Sequence, residues 1–273
     1  MAMAEVGGFD HNAHTLRILT RLESPYPLHQ GLNLSWETLE GLAKHNGPID
    51  QPGPLREVIS EFEGWRSLDA ANWASAEAQV AALADDVAYL NHDIDDGLRA
   101  GLIVLSDLKT VPLAAAIVGV SQGLTREEPR IVYEVSRRMI TAMISDLVGE
   151  SRRRLAALDP QSPDAIRGAG HPIIGFSAPM VDEMKKIRAF LFERVYRSSR
   201  VNKTMQAAEE VVKGLFSRYF GDEANLPGTW QDDLTGLDEG RRARVIVDFV
   251  AGMTDRYALA EHRRLFDATP ELR

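Results

Sequence analysis

The chain has 273 residues, 44% hydrophobic and 26% charged, with no cysteine. That balance excludes disordered, collagen-like and low-complexity classes, and the missing thiols exclude a disulfide framework, cysteine-ligated zinc, an iron–sulfur cluster and a thiol nucleophile. The net charge of −9 argues against a strong nucleic-acid-binding surface.

The charge is uneven: residues 1–125 hold 17 acids against 7 bases, and residues 126–273 hold 23 against 24. Arg152–Arg154, Lys185/Lys186/Arg188, Arg194/Arg197/Arg200/Lys203 and Arg241/Arg242/Arg244 are local basic clusters. They read either as solvated helix faces or as a surface for a polyanionic small ligand such as a nucleotide. The start, MAMAEVGGFD, has neither a basic region nor an apolar core and does not read as a signal peptide. The longest apolar run, Val111–Val120, spans ten residues and contains Pro112. Spanning a membrane takes roughly 20 apolar residues, so a cytoplasmic protein without a membrane partner is expected.

In chain order, apolar periodicity predicts helices near 11–23, 35–45, 74–103, 111–121, 127–157, 179–196, 200–220 and 240–265. The strongest signal is Val132, Val135, Met139, Met143 and Leu147, with Ile140 and Ile144 widening the stripe. Thr125 to Glu128 before it reads as a capping box, and Asn46-Gly47-Pro48 as a helix stop. The Pro- and Gly-rich stretches 46–54, 159–179 and 221–240 read as connectors, and strand signals are almost absent. The expected fold is therefore an all-α, multi-helix bundle, divided into residues 1–158, which hold an acidic helix, and a C-terminal helical region 159–273 packing on it.

The densest chemistry lies between Ala84 and Asp96. Asp85, Tyr89 and Asp93 recur at every fourth residue, so a helix carries them on one face, beside an apolar stripe of Leu83, Val87, Leu90 and Ile94. Two carboxylates flanking a ring can floor a small-molecule site, one acid holding a metal and the other accepting from a hydroxyl. The same pattern also fits a solvated acidic face. The adjacent His92-Asp93 is a weak metal pair, because neighbours on a helix point about 100° apart. Gly7-Gly8-Phe9-Asp10-His11-Asn12-Ala13-His14 leads into a helix with Asp10 as a candidate cap. Its polar residues read either as capping or as positioning a phosphate or water. The segment from Asn33 to Pro48 is an amphipathic helix with a Ser35 cap, read as core packing.

Taken in order, these segments, with Phe192-Glu193-Arg194-Val195-Tyr196-Arg197 and Ala251 to Tyr257 downstream, resemble the bacterial dGTPase-like deoxynucleotide triphosphohydrolases of the HD superfamily over essentially the whole chain. The resemblance implies an all-α HD-superfamily-type domain that hydrolyses dNTPs to deoxynucleoside and triphosphate with a divalent metal, Mg²⁺ or Mn²⁺, held by two histidines and two aspartates. It puts Asp85 at the metal, Tyr89 against the deoxyribose, Asp93 on the 3′-hydroxyl and Tyr196 near sugar and phosphates. His11 and Asn12 match, more loosely, a segment beside the reacting phosphate. It further implies a homo-oligomer and nucleotide effectors. The family's His…His-Asp motif precedes the Gly-Gly-Phe-Asp-His segment, almost where this chain starts. The expectation is the C-terminal portion of such an enzyme, with little hydrolase activity of its own. The alternative is a non-catalytic helical protein that binds nucleotides or assembles with longer relatives.

Overall fold

The computed structural model describes residues 8–61 and 68–267, and among these there is no strand. None of the described helices is long and apolar enough to cross a membrane.

The first helix, α1 (His11–Arg17), is capped by the Asp10 carboxylate and continues as a π-helical turn over Ile18–Leu22. Gly31 (φ +63°) lies against that turn so closely that a Cβ would come within 2.4 Å of the Leu19 carbonyl oxygen, so only glycine fits. Next come α2 (Trp36–Ala43) and α3 (Pro54–Ser60), the latter not anticipated from the sequence. Residues from α1, α2 and α3, including Ala13, Leu16, Leu39, Ala43 and Val58, share one small core.

The helix with the acidic segment, α4 (Ala76–Arg99), stops short of the expected 103. Gly101 turns left-handed (φ +67°), its N–H donates to Leu98, and the Leu102 N–H donates to Gly97 at 2.9 Å, which closes the helix end. After α5 (Pro112–Leu124) comes α6 (Glu128–Leu158). The expected capping box does not form. Thr125 ends α5, and Glu127 occupies the N-cap position of α6 without a capping side-chain hydrogen bond. Had Thr125 been the cap, Pro129 would fall where the first intrahelical N–H is needed, whereas two residues later it falls among the free donors.

The structure then continues through α7 (Pro163–Arg167), α8 (Ala178–Leu191), a π-helical turn (Phe192–Tyr196), α9 (Ser199–Gly221), α10 (Gly228–Asp232), α11 (Glu239–Ala251) and α12 (Asp255–Phe266). Residues 240–265 are thus two helices rather than one. Gly252 ends the first, and the Thr254 hydroxyl caps the second by accepting from the Tyr257 N–H.

Both α4 and α5 pack along α6, and α8 packs on α4. Their shared core contains Val87, Leu90 and Ile94 with Val135, Met139 and Met143, and also Ile187 and Leu191. Residues on both sides of position 158 therefore meet in it. Burying each such side chain contributes about 1.5–3 kcal/mol. A third core joins α9, α11 and α12 around Leu215, Tyr219, Ile246 and Phe249.

Candidate functional site

Because α4 runs unbroken through the acidic segment, Asp85, Tyr89 and Asp93 lie along one face of a single helix. The geometry around Tyr89 and Asp93 is set by α8, whose end and following π turn lie across from them. Asp86, Tyr89, Leu90 and Asp93 from one side, and Arg188, Phe192 and Tyr196 from the other, line an open cavity of about 470 Å³. Tyr89 is 63% exposed, so its ring forms an accessible wall rather than core packing.

Two polar contacts bridge the walls. The Tyr196 hydroxyl donates to the Asp93 carboxylate. Partial burial, then the hydrogen bond to Asp93 and its negative charge, push the Tyr196 hydroxyl up to about 12, so it stays a donor at neutral pH. An Arg188 N–H donates to Asp86 Oδ1 at 2.7 Å, with both side chains about half exposed. The cavity thus offers an acceptor, an exposed ring and a cation from elements about a hundred residues apart. That set suits a ligand combining hydroxyls, an apolar ring face and an anionic group.

Asp85 does not line this cavity. Its carboxylate lies 3.8 Å from His45 Nε2, and both side chains are substantially exposed. His45 borders a second cavity of about 450 Å³, walled by Trp73, Arg154 and Phe176 among others, and Asp86 stands between the two. Among the described residues, no group of three or more His, Asp or Glu side chains is placed to hold a metal. His92 is exposed and lines neither cavity.

His11 and Asn12 occupy the first turn of α1, where Asp10 accepts from the Ala13 N–H at 2.8 Å, and neither lines the Tyr89 cavity. The strongest polar cluster of this helix faces inward instead. His14 Nδ1 lies 2.9 Å from Asp248 Oδ1, and Arg17 donates to both Asp248 oxygens at 2.6–3.1 Å. Burial pushes the Asp248 carboxyl up, but the hydrogen bonds of His14 and Arg17 and the positive charge of Arg17 outweigh it and hold the group below the usual aspartate range. The cluster ties α1 to α11.

Arg188, Phe192 and Asp86 were not singled out as site residues from the sequence. Arg188 carried one signal, its place in a basic cluster, but nothing in the sequence aligned that cluster with α4.

The first likeness to known proteins lies in the C-terminal wall. Residues 174–264, which include Arg188, Phe192 and Tyr196, match the family described as phosphohydrolase-associated domain. Over 276 residues the chain is 50% identical to the deoxyguanosinetriphosphate triphosphohydrolase-like protein of Bradyrhizobium sp. (strain ORS 278), covering 99% of this chain and 69% of that protein. It is 47% identical over 278 residues to deoxyguanosinetriphosphate triphosphohydrolase-like protein 1 of Mesorhizobium japonicum, covering 99% of this chain and 69% of that one. It is also 48% identical over 273 residues to the deoxyguanosinetriphosphate triphosphohydrolase-like protein of Parvibaculum lavamentivorans, covering 97% and 68%. The chain therefore belongs to the deoxyguanosinetriphosphate triphosphohydrolase-like family.

Proposed function

We propose that the cavity between α4 and the π turn takes a deoxynucleoside triphosphate, and that the reaction served is hydrolysis to deoxynucleoside and triphosphate. The observation that carries this is the meeting of Asp93, held by the Tyr196 hydroxyl, with the exposed ring of Tyr89 and the Arg188 guanidinium. In this proposal Asp93 accepts from the 3′-hydroxyl and Tyr89 packs on the deoxyribose where a 2′-hydroxyl would clash. Tyr196 orients the Asp93 carboxylate. Arg188, exchanging Asp86 for phosphate, offers a guanidinium suited to phosphate oxygens.

Asp85 is proposed as one ligand of a divalent metal, Mg²⁺ or Mn²⁺, which would supply Lewis-acid chemistry at the phosphates. The described residues bring only His45 near that carboxylate and supply no three-ligand set, so they do not by themselves fit a metal centre. His11 and Asn12 stay proposed for the reacting phosphate on the order of the motifs alone. A cytoplasmic homo-oligomer answering to nucleotide effectors, with neither membrane nor nucleic acid as partner, completes the proposal. A second reading, nucleotide binding without hydrolysis by this chain, is favoured by the same ligand count.

Equilibrium binding of dNTPs and rNTPs to the purified chain tests the proposal. The unmodified protein should prefer the deoxy sugar, and Tyr89→Ala should narrow that preference. Equal affinities for both sugars in the unmodified protein would refute it.

A further inference from the structure

We infer that Phe192, backed by Arg197, is the surface on which this protein stacks the nucleobase, an assignment that rests on the deoxynucleotide reading of the cavity. Phe192 is the first residue of the π-helical turn and is 50% exposed. Its ring lines the same cavity as Tyr89 but from the opposite wall. The cavity, about 470 Å³, falls within the size range of small-molecule sites.

The local backbone explains what lies behind the ring. In the π turn the Arg197 N–H donates to the Phe192 carbonyl at 3.1 Å, five residues back rather than four. The widened turn brings residue 197 alongside residue 192, and single π turns of this kind recur at functional sites. The Arg197 guanidinium carbon lies 4.5 Å from the Phe192 ring centroid. Among the described residues Arg197 forms no ion pair with a carboxylate, and its guanidinium sits over the ring. Arg197 is not among the cavity walls. The guanidinium over the ring and the ring's contact with the cavity are thus separate contacts. In this assignment the guanidinium holds one face of the ring and the base meets the other.

A base presents a flat π-face whatever its identity, so such a platform gives affinity without reading one particular base. Base–aromatic stacking is typically worth about 5- to 150-fold in affinity. Larger purines should gain more than pyrimidines. Phe192 would therefore set how tightly the base is held, whereas Tyr89 and Asp93 set which sugar is accepted.

The test titrates the full chain with dATP, dCTP, ATP and 1′,2′-dideoxyribose 5′-triphosphate, which lacks a base. The unmodified protein, Phe192→Ala, Phe192→Leu and Tyr89→Ala are compared, with thermal melts confirming that each variant is folded. Phe192→Ala should weaken dATP at least tenfold and dCTP less, leave the base-less triphosphate unchanged and preserve the dATP/ATP ratio. Phe192→Leu should keep only part of the affinity. Tyr89→Ala should do the reverse, changing the dATP/ATP ratio. Loss of dATP and base-less ligand in equal measure, or no loss at all, in Phe192→Ala would overturn the platform while leaving the sugar assignment standing. Absence of any deoxy preference in the unmodified protein would instead remove the deoxynucleotide reading itself.

Discussion

Replacing Asp248 with asparagine removes the negative charge that holds α1 on α11. In the native protein Asp248 is 5% exposed, and Arg17, whose side chain is 7% exposed, donates to both of its oxygens. His14 adds its Nδ1, while its buried Nε2 has no partner, so Asp248 is the polar anchor of both side chains. The variant leaves a guanidinium buried without a counter-charge, and breaking a buried pair from one side costs about 3–5 kcal/mol. At ~2–4 °C per kcal/mol for a chain of this size, the melting temperature should fall by roughly 10 °C. Thermal unfolding followed by circular dichroism reads this directly, with Asp182→Asn as control, since its partner Lys185 is 3.3 Å away and both side chains are mostly exposed. That control should change stability by no more than about 0.5 kcal/mol. The pH dependence gives a second check. Because the native Asp248 carboxyl is held below its ordinary value, its contribution is complete above the unfolded aspartate range near pH 4. It is lost as pH falls below that range through the depressed native value. The asparagine variant should lack that component of the acid transition. A variant as stable as the unmodified protein at pH 7, with an unchanged acid transition, would refute the anchoring role.

Asp93→Ala should weaken dNTP binding about tenfold, the scale of a hydrogen bond to a charged acceptor, while leaving 2′,3′-dideoxynucleotides unaffected in isothermal titration. Glu40 is fully buried and accepts from Lys44 at 3.0 Å and from Arg167 at 2.9–3.1 Å. Glu40→Gln should therefore cost about 3–5 kcal/mol in urea unfolding. With Mn²⁺ or Mg²⁺ added, the purified chain should release little or no triphosphate from any of the four dNTPs, because the described residues converge no three-ligand metal set. Robust metal-dependent release would show that His11, His14 or His45 and the nearby aspartates build a centre the geometry does not reveal.

The long helices were legible because their signal is local. The stripe of Val135, Met139, Met143 and Leu147 is buried along α6 as its period requires. Asp85, Tyr89 and Asp93 share a helix face for the same reason. Boundaries set by a single residue were harder to read: Pro129 displaced the start of α6, and Gly252 with Thr254 broke the last helix in two. The walls opposite Tyr89 were not legible at all. Arg188 and Phe192 enter the cavity only because α8 packs on α4, about a hundred residues away in sequence, and His14 meets Asp248 across 234 positions. Periodicity carries no information about such pairings. Tyr196 was placed near the sugar by resemblance. What brings its hydroxyl to Asp93 is the π turn, which helical spacing does not foretell.

A crystal structure of the chain with a non-hydrolysable dNTP tests the deoxynucleotide assignment most directly. The sugar should lie on Tyr89 with its 3′-hydroxyl within hydrogen-bond distance of Asp93, and Arg188 should have turned from Asp86 toward the phosphates. A nucleotide seated instead in the cavity walled by Trp73 and Phe176, with the Tyr196–Asp93 and Arg188–Asp86 contacts undisturbed, would contradict it.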